Sequence, residues 1–189
     1  GWGWRSLAFR RIIAVAKRRW SPGFDVRQQV GKRIGEARVM RHQAKFVIDE
    51  MPDPMPMLKN FDEWFTSILL RAREKSKSVL VVRQPWLEKS FTLEEERLLW
   101  SYGVGNPYTS EVTTYYSHKV VWQLHRLVDQ HTVAIANSLG VAALNLAPDL
   151  EATFKHYYDE VHFTPDGCRV VGEAVAKAIV DGVISENGI

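Results

Sequence analysis

An α/β fold built on a parallel sheet is what this 189-residue sequence predicts, and three observations carry the prediction. Two short, continuous apolar runs, Val79-Leu80-Val81-Val82 and Val141-Ala142-Ala143-Leu144-Asn145-Leu146, have the look of strands buried on both faces. Segments with helical periodicity precede, separate and follow them. The last of these opens at Thr164-Pro165, an N-cap residue followed by proline at the first helical position. Helix, buried strand, long helix, buried strand, loop, helix is the order of a parallel α/β sheet.

Taken in chain order, residues 5–20 are predicted to be helical, because Phe9, Ile13, Ala16 and Trp20 recur at helical spacing and Ser21-Pro22-Gly23 ends the run. Residues 26–44 are weakly helical and strongly basic. Pro52, Pro54 and Pro56 break the chain. Over 58–76, Leu58, Phe61, Trp64, Phe65, Ile68 and Leu69 predict one apolar helix face, with Trp64 in the core. Residues 87–110 are loop-rich, a long helix is expected from about 112 to 138 with Trp122 in the core, and Gly140 stops it. Val171, Ala174, Val175, Ala178 and Ile179 predict the inner face of the last helix, and Cys168 at its start is expected to be buried.

The length suits one domain with a real core, and 46% hydrophobic and 25% charged residues are ordinary for a globular protein. No window has the run of apolar residues that a membrane span needs, and 12–16, followed by Lys17-Arg18-Arg19, is too short for a signal peptide. One cysteine excludes an internal disulfide, and no cofactor or metal is expected, since no Cys/His set has zinc spacing. None of this indicates a compartment.

The net charge of +3 conceals an asymmetry. Residues 1–45 hold 12 Lys/Arg against Asp25 and Glu36, a net +10, whereas 46–189 carry a net −7. The division expected is therefore a basic helical segment, 1–45, before the main domain, 46–189. The basic stretch is either a solvated surface or an arm for an anionic partner, with peripheral membrane contact through residues 5–20 or a juxtamembrane position as specific forms. Nucleic acid is not the expected partner.

The chemistry concentrates in Tyr158-Asp159-Glu160-Val161-His162-Phe163-Thr164-Pro165-Asp166-Gly167. A carboxylate three residues before a histidine can fix the imidazole tautomer and stabilise the imidazolium, which makes His162 a base oriented by Asp159. Ligands of open parallel sheets bind beyond the carboxyl ends of the strands. Gln84, Pro85 and Trp86 follow one strand and the Asp159/His162 loop follows the other, so the two are expected to converge, with Trp86 a candidate for lining a substrate site. His118 and His125 fall on one helical face without further metal ligands, and His131 and His156 have no partner visible in the sequence.

Asp-x-x-His-x-Thr-x-x-Gly before a C-terminal helix resembles the last block of the SGNH (GDSL-type) hydrolases. The order of elements over roughly 58–180 resembles that family as well. The resemblance implies a three-layer α/β/α fold, flavodoxin-like in its parallel sheet, and a serine esterase or deacetylase acting on a small-molecule, carbohydrate or lipid ester. It makes Asp159 and His162 the triad aspartate and histidine. The family's nucleophile lies in Gly-Asp-Ser and its oxyanion hole uses Gly-x-Asn-Asp, and this chain contains neither. Gly1-Trp2-Gly3-Trp4, without an initiator methionine, stands about where a degenerate Gly-x-Asn-Asp would fall. The expectation is therefore a domain truncated at its N-terminus, with the serine upstream. The alternative is a catalytically inactive SGNH-like binding module whose basic segment contacts an anionic partner. Ser110 and Ser117 are the internal serines to weigh, although neither follows a strand on a tight glycine turn.

Overall fold

A computed structural model describes residues 26–106 and 109–182, with side chains from Val30 onward. The predicted helix over 5–20, its membrane contact and the Gly1-Trp2-Gly3-Trp4 segment lie outside the described residues. Two compact units, 1–36 and 37–189, divide the chain within the first described helix, α1 (Val26–His42). In the first unit, Lys32 and Glu36 form an exposed i, i+4 pair at 3.9 Å.

The second unit is a mixed α/β structure with short parallel strands. After α1 come β1 (Phe46–Ile48), α2 (Met55–Lys75), β2 (Leu80–Val82), α3 (Leu93–Glu96), β3 (Thr114–Tyr116), α4 (His118–Ser138), β4 (Ala142–Leu144) and α5 (Pro165–Val180). The strands pair in parallel as β1–β3 and β2–β4, each a two-stranded sheet. Gly140, with φ of 64°, ends α4 in the left-handed region, where glycine carries no Cβ penalty.

Two apolar clusters hold β2–β4 in place. In register, Val81 pairs with Ala143. Both belong to a cluster with Leu69 of α2 and Ala136 of α4, around which Phe65, Ile135 and Leu139 pack. Leu144, next along β4, joins the other cluster, formed by Leu87, Leu146, Leu150 and Tyr157 against Val171, Ala174 and Val175 of α5. Consecutive strand residues point to opposite faces, so the α2/α4 pair and α5 cover opposite faces of this sheet. Leu87 and Leu146 are almost wholly buried, each contributing about 1.5–3 kcal/mol of hydrophobic stabilisation.

Several expectations are corrected. The long helix starts at His118 rather than near 112, because Thr114–Tyr116 is β3, whose β-branched and aromatic residues suit a strand, and Ser117 caps α4 by accepting from Val120 N–H at 3.3 Å. β1 and α3 had no expectation of their own. The signal for α3 was Thr92-x-x-Glu95, a capping box in which each residue's side chain bonds the other's backbone N–H. Trp64 is 65% exposed and Ile68 is exposed too, because the buried stripe of α2 is the narrower line of Leu58 and Leu69. Trp122 is half-buried, packing beside His118 and Phe91. β2 is not buried on both faces throughout: Val82 is exposed, and among the described residues β2 has β4 as its one strand neighbour. Ile179 is exposed near the end of α5, and Cys168 is exposed rather than buried.

Candidate functional site

The loop between β4 and α5 is drawn into a tight reversal. Tyr158 N–H donates to His162 O at 2.7 Å, and Tyr157 and Phe163 form an antiparallel bridge. Thr164 then caps α5, its hydroxyl accepting from Gly167 N–H at 3.1 Å while its own N–H donates to His156 O at 3.0 Å. Gly167 is required by close approach: a Cβ there would lie 2.0 Å from His156 O. The Thr-x-x-Gly half of the motif is thus a device for seating the loop on the helix start.

Asp159 lies at the tip of this reversal, 0% exposed. Its Oδ1 accepts from Val161 N–H and His162 N–H, both at 2.9 Å, the side-chain-to-backbone pattern of an Asx turn. Its Oδ2 accepts from His162 Nδ1 at 2.8 Å and from the indole Nε1 of Trp100 at 2.8 Å. A buried carboxylate with this many donors is compensated for its lost hydration. The His162 side chain, by contrast, is 61% exposed. With Nδ1–H directed at Asp159, the lone pair falls on Nε2, which makes no hydrogen bond among the described residues. That is the form of a general base open to a reactant.

Trp100 is the residue that sequence reasoning missed. Its ring lies nearly parallel to His162, 6.1 Å between centroids at 11°. It stands 59 residues from Asp159 in sequence, in the loop after α3, and no local pattern marks it.

Glu160, beside the dyad, is 2% exposed, and neither carboxyl oxygen has a well-formed hydrogen-bond partner. Burial pushes this carboxyl above the usual range and the charge of Asp159 adds to the effect, against opposition from Arg41, backbone hydrogen bonding and the Ser101 side chain. Tyr102 is likewise raised, first by burial and then by the charges of Glu160 and Asp159.

The expected convergence of the two strand ends is present. Gln84 Nε2 donates to Val161 O at 3.1 Å, and Leu87 N–H donates to Glu160 O at 2.8 Å. Trp86 stacks on His125, 5.3 Å between centroids at 13°, and His125 Nε2 bonds the Tyr102 hydroxyl at 2.8 Å. Trp86 therefore belongs to an aromatic group next to the dyad, its own indole N–H engaged by Glu88 at 3.1 Å. Burial lowers His125 and keeps it neutral more readily than a free imidazole.

Three other histidines acquire partners that sequence did not show. His118 Nε2 accepts from Arg41 Nη2 at 3.3 Å, and burial, reinforced by the Arg41 charge, lowers its pKa to about 4. His131 Nδ1 meets Asp62 at 2.8 Å, joining α4 to α2, and His156 Nδ1 accepts from Glu151 N–H at 2.9 Å. Among the described residues, no three His, Cys, Asp or Glu side chains gather as a metal-binding group. A cavity of about 240 Å³ opens beside β1 at the carboxyl end of β3, between Arg41, Ser117 and His118, and neither Asp159 nor His162 lines it. Of the internal serines, Ser117 is committed to its cap and Ser110 Oγ donates to Asn106 O at 3.2 Å. No described helix is long and apolar enough to cross a membrane.

The chain matches no protein-family model, no curated protein and no solved structure.

Proposed function

We propose that this chain carries the aspartate–histidine part of an SGNH-type ester hydrolase site on a three-layer α/β/α scaffold, with a small-molecule, carbohydrate or lipid ester as substrate. The observation that supports it most is the contact of buried Asp159 with exposed His162, within Asp-x-x-His-x-Thr-x-x-Gly at a helix start. In this reading, His162 Nε2 takes the proton of a serine hydroxyl as its oxygen attacks the ester carbonyl, whose π electrons move onto the carbonyl oxygen. Asp159 stabilises the imidazolium, which returns its proton to the departing alkoxide, leaving an acyl-serine for water to cleave by the same base. The reading takes that serine from outside the described residues, among which no serine is bonded to the His162 side chain and Ser110 and Ser117 are otherwise engaged. Trp86, with His125 and Tyr102, is the aromatic group available to an acyl or sugar moiety. Arg38 and Arg41, at the end of the basic segment, make internal bonds to Leu98 and Ser101, which weighs against the alternative of an anionic partner at those two residues.

The test is hydrolysis of p-nitrophenyl acetate by the full-length protein. His162→Ala is expected to lower turnover at least about 10²-fold, the usual share of a general base. Near-normal activity in this variant would refute the assignment, and absence of turnover in the unaltered protein would favour the inactive binding module.

A further inference from the structure

We propose that Trp100 is a positioning residue of the Asp159–His162 pair, and that Arg38 and Arg41 act through it by pinning the loop that carries it. The inference rests on the reading of Asp159 and His162 as a base dyad and assigns that site's outer support.

The geometry is specific to the indole. Trp100 Nε1 donates at 2.8 Å to Asp159 Oδ2, the carboxylate oxygen nearer to His162 Nδ1, which lies 2.8 Å from Oδ2 and 3.0 Å from Oδ1. The indole plane also runs parallel to the imidazole, at 11°. Oδ1 is held, besides its contact with His162 Nδ1, by two backbone N–H groups of the dyad's own loop. The indole N–H is therefore the donor from outside that loop which fixes the carboxylate about its last torsion. Second-sphere donors of this kind set the tautomer and orientation of a histidine.

The loop holding Trp100 is tied on both sides of it. Leu98 O accepts from Arg38 Nε at 2.8 Å, and Ser101 O accepts from Arg41 Nη1 at 2.6 Å. The two arginines are three apart on α1, so they project from one helix face. Arg38 also lies over the ring of Tyr158, 5.0 Å from its centroid, one residue before Asp159. Leu99 is buried, and Tyr102 has a φ of 68°, a left-handed conformation that a tyrosine keeps only where its neighbours are restrained. The arginines thus hold a strained turn whose product is the placement of one indole N–H.

The test uses the full chain labelled with ¹⁵N-histidine and reads the Nδ1–H proton of His162, a far-downfield resonance identified by its loss in His162→Gln. Trp64→Phe, which removes an exposed indole elsewhere, should leave it unchanged. Trp100→Phe keeps a ring and deletes the donor, so the resonance should move and exchange with water about tenfold faster, the factor that loss of one hydrogen bond to a charged group carries. An unchanged resonance and exchange rate in Trp100→Phe would overturn the proposal. Should that variant fail to fold, Arg41→Gln with Arg38→Gln serves instead, with faster exchange expected and unchanged exchange overturning the proposal. Absence of the resonance from the unaltered protein would instead overturn the dyad reading itself.

Discussion

Replacing each of two glycines on α5 by alanine should change stability in opposite directions. Alanine is favoured over glycine in a helix by about 1 kcal/mol. At Gly172 nothing lies within 4 Å of the added methyl, so Gly172→Ala should stabilise by about 0.5–1 kcal/mol. At Gly167 the same methyl would meet His156 O at 2.0 Å and His156 C at 2.9 Å. A carbon–oxygen contact normally closes at about 3.3 Å, so helix and loop must part by about 1.3 Å. The obstacle is backbone and cannot rotate away. The same carbonyl accepts from Thr164 N–H at 3.0 Å, so parting strains the residue that caps α5. A weakened cap of about 1 kcal/mol and a compromised buried hydrogen bond of about 1–3 kcal/mol outweigh the helix gain. The net for Gly167→Ala is a loss of about 1–3 kcal/mol. At about 2–4 °C per kcal/mol for a chain of this size, the two variants should differ in Tm by roughly 8 °C. Urea and thermal unfolding followed by circular dichroism would show it. If Gly167→Ala were as benign as Gly172→Ala, the seating of the Asp159/His162 loop on α5 would be wrong.

Two further predictions concern pH. The Glu160 carboxyl is raised by burial, so it supports the fold when protonated and that support is lost as pH rises from 4.5 through its folded value. Glu160→Gln should therefore gain on the unaltered protein over that window, with unfolding free energies from urea titrations diverging by at most about 1.4 kcal/mol per pH unit, and parallel curves would refute it. His118 has the opposite sign. With its folded pKa lowered to about 4, the unfolded chain takes up the proton first, and stability is lost as pH falls from 6.5 towards 4. An NMR titration should find His118 neutral at pH 5.5, and a midpoint near 6.5 would refute its burial against Arg41.

Much of this organisation was legible along the chain. The apolar runs at 79–82 and 141–146 mark β2 and β4 because strands near a core need apolar residues at consecutive positions. Thr164-Pro165 marks the start of α5 because the end of a helix needs a cap and tolerates a proline. The burial of individual side chains was less legible. Trp64 and Ile68 share helical spacing with Leu58 and Leu69, and periodicity cannot say how wide a stripe the neighbouring helix will cover. β1 and β3 are three residues each, too short for alternation to register, and each is defined by the other.

The dyad shows where the division falls. Asp159 and His162 are three residues apart, so a single turn of chain determines their contact, and the sequence by itself was enough to pair them. Trp100, Arg38 and Arg41 were decided by tertiary structure alone. Arg38 and Arg41 reach carbonyls 60 residues away, and Trp100 reaches a carboxylate 59 residues away. Hydrogen bonds across such separations depend on the path of every intervening element, and no local spacing encodes that path.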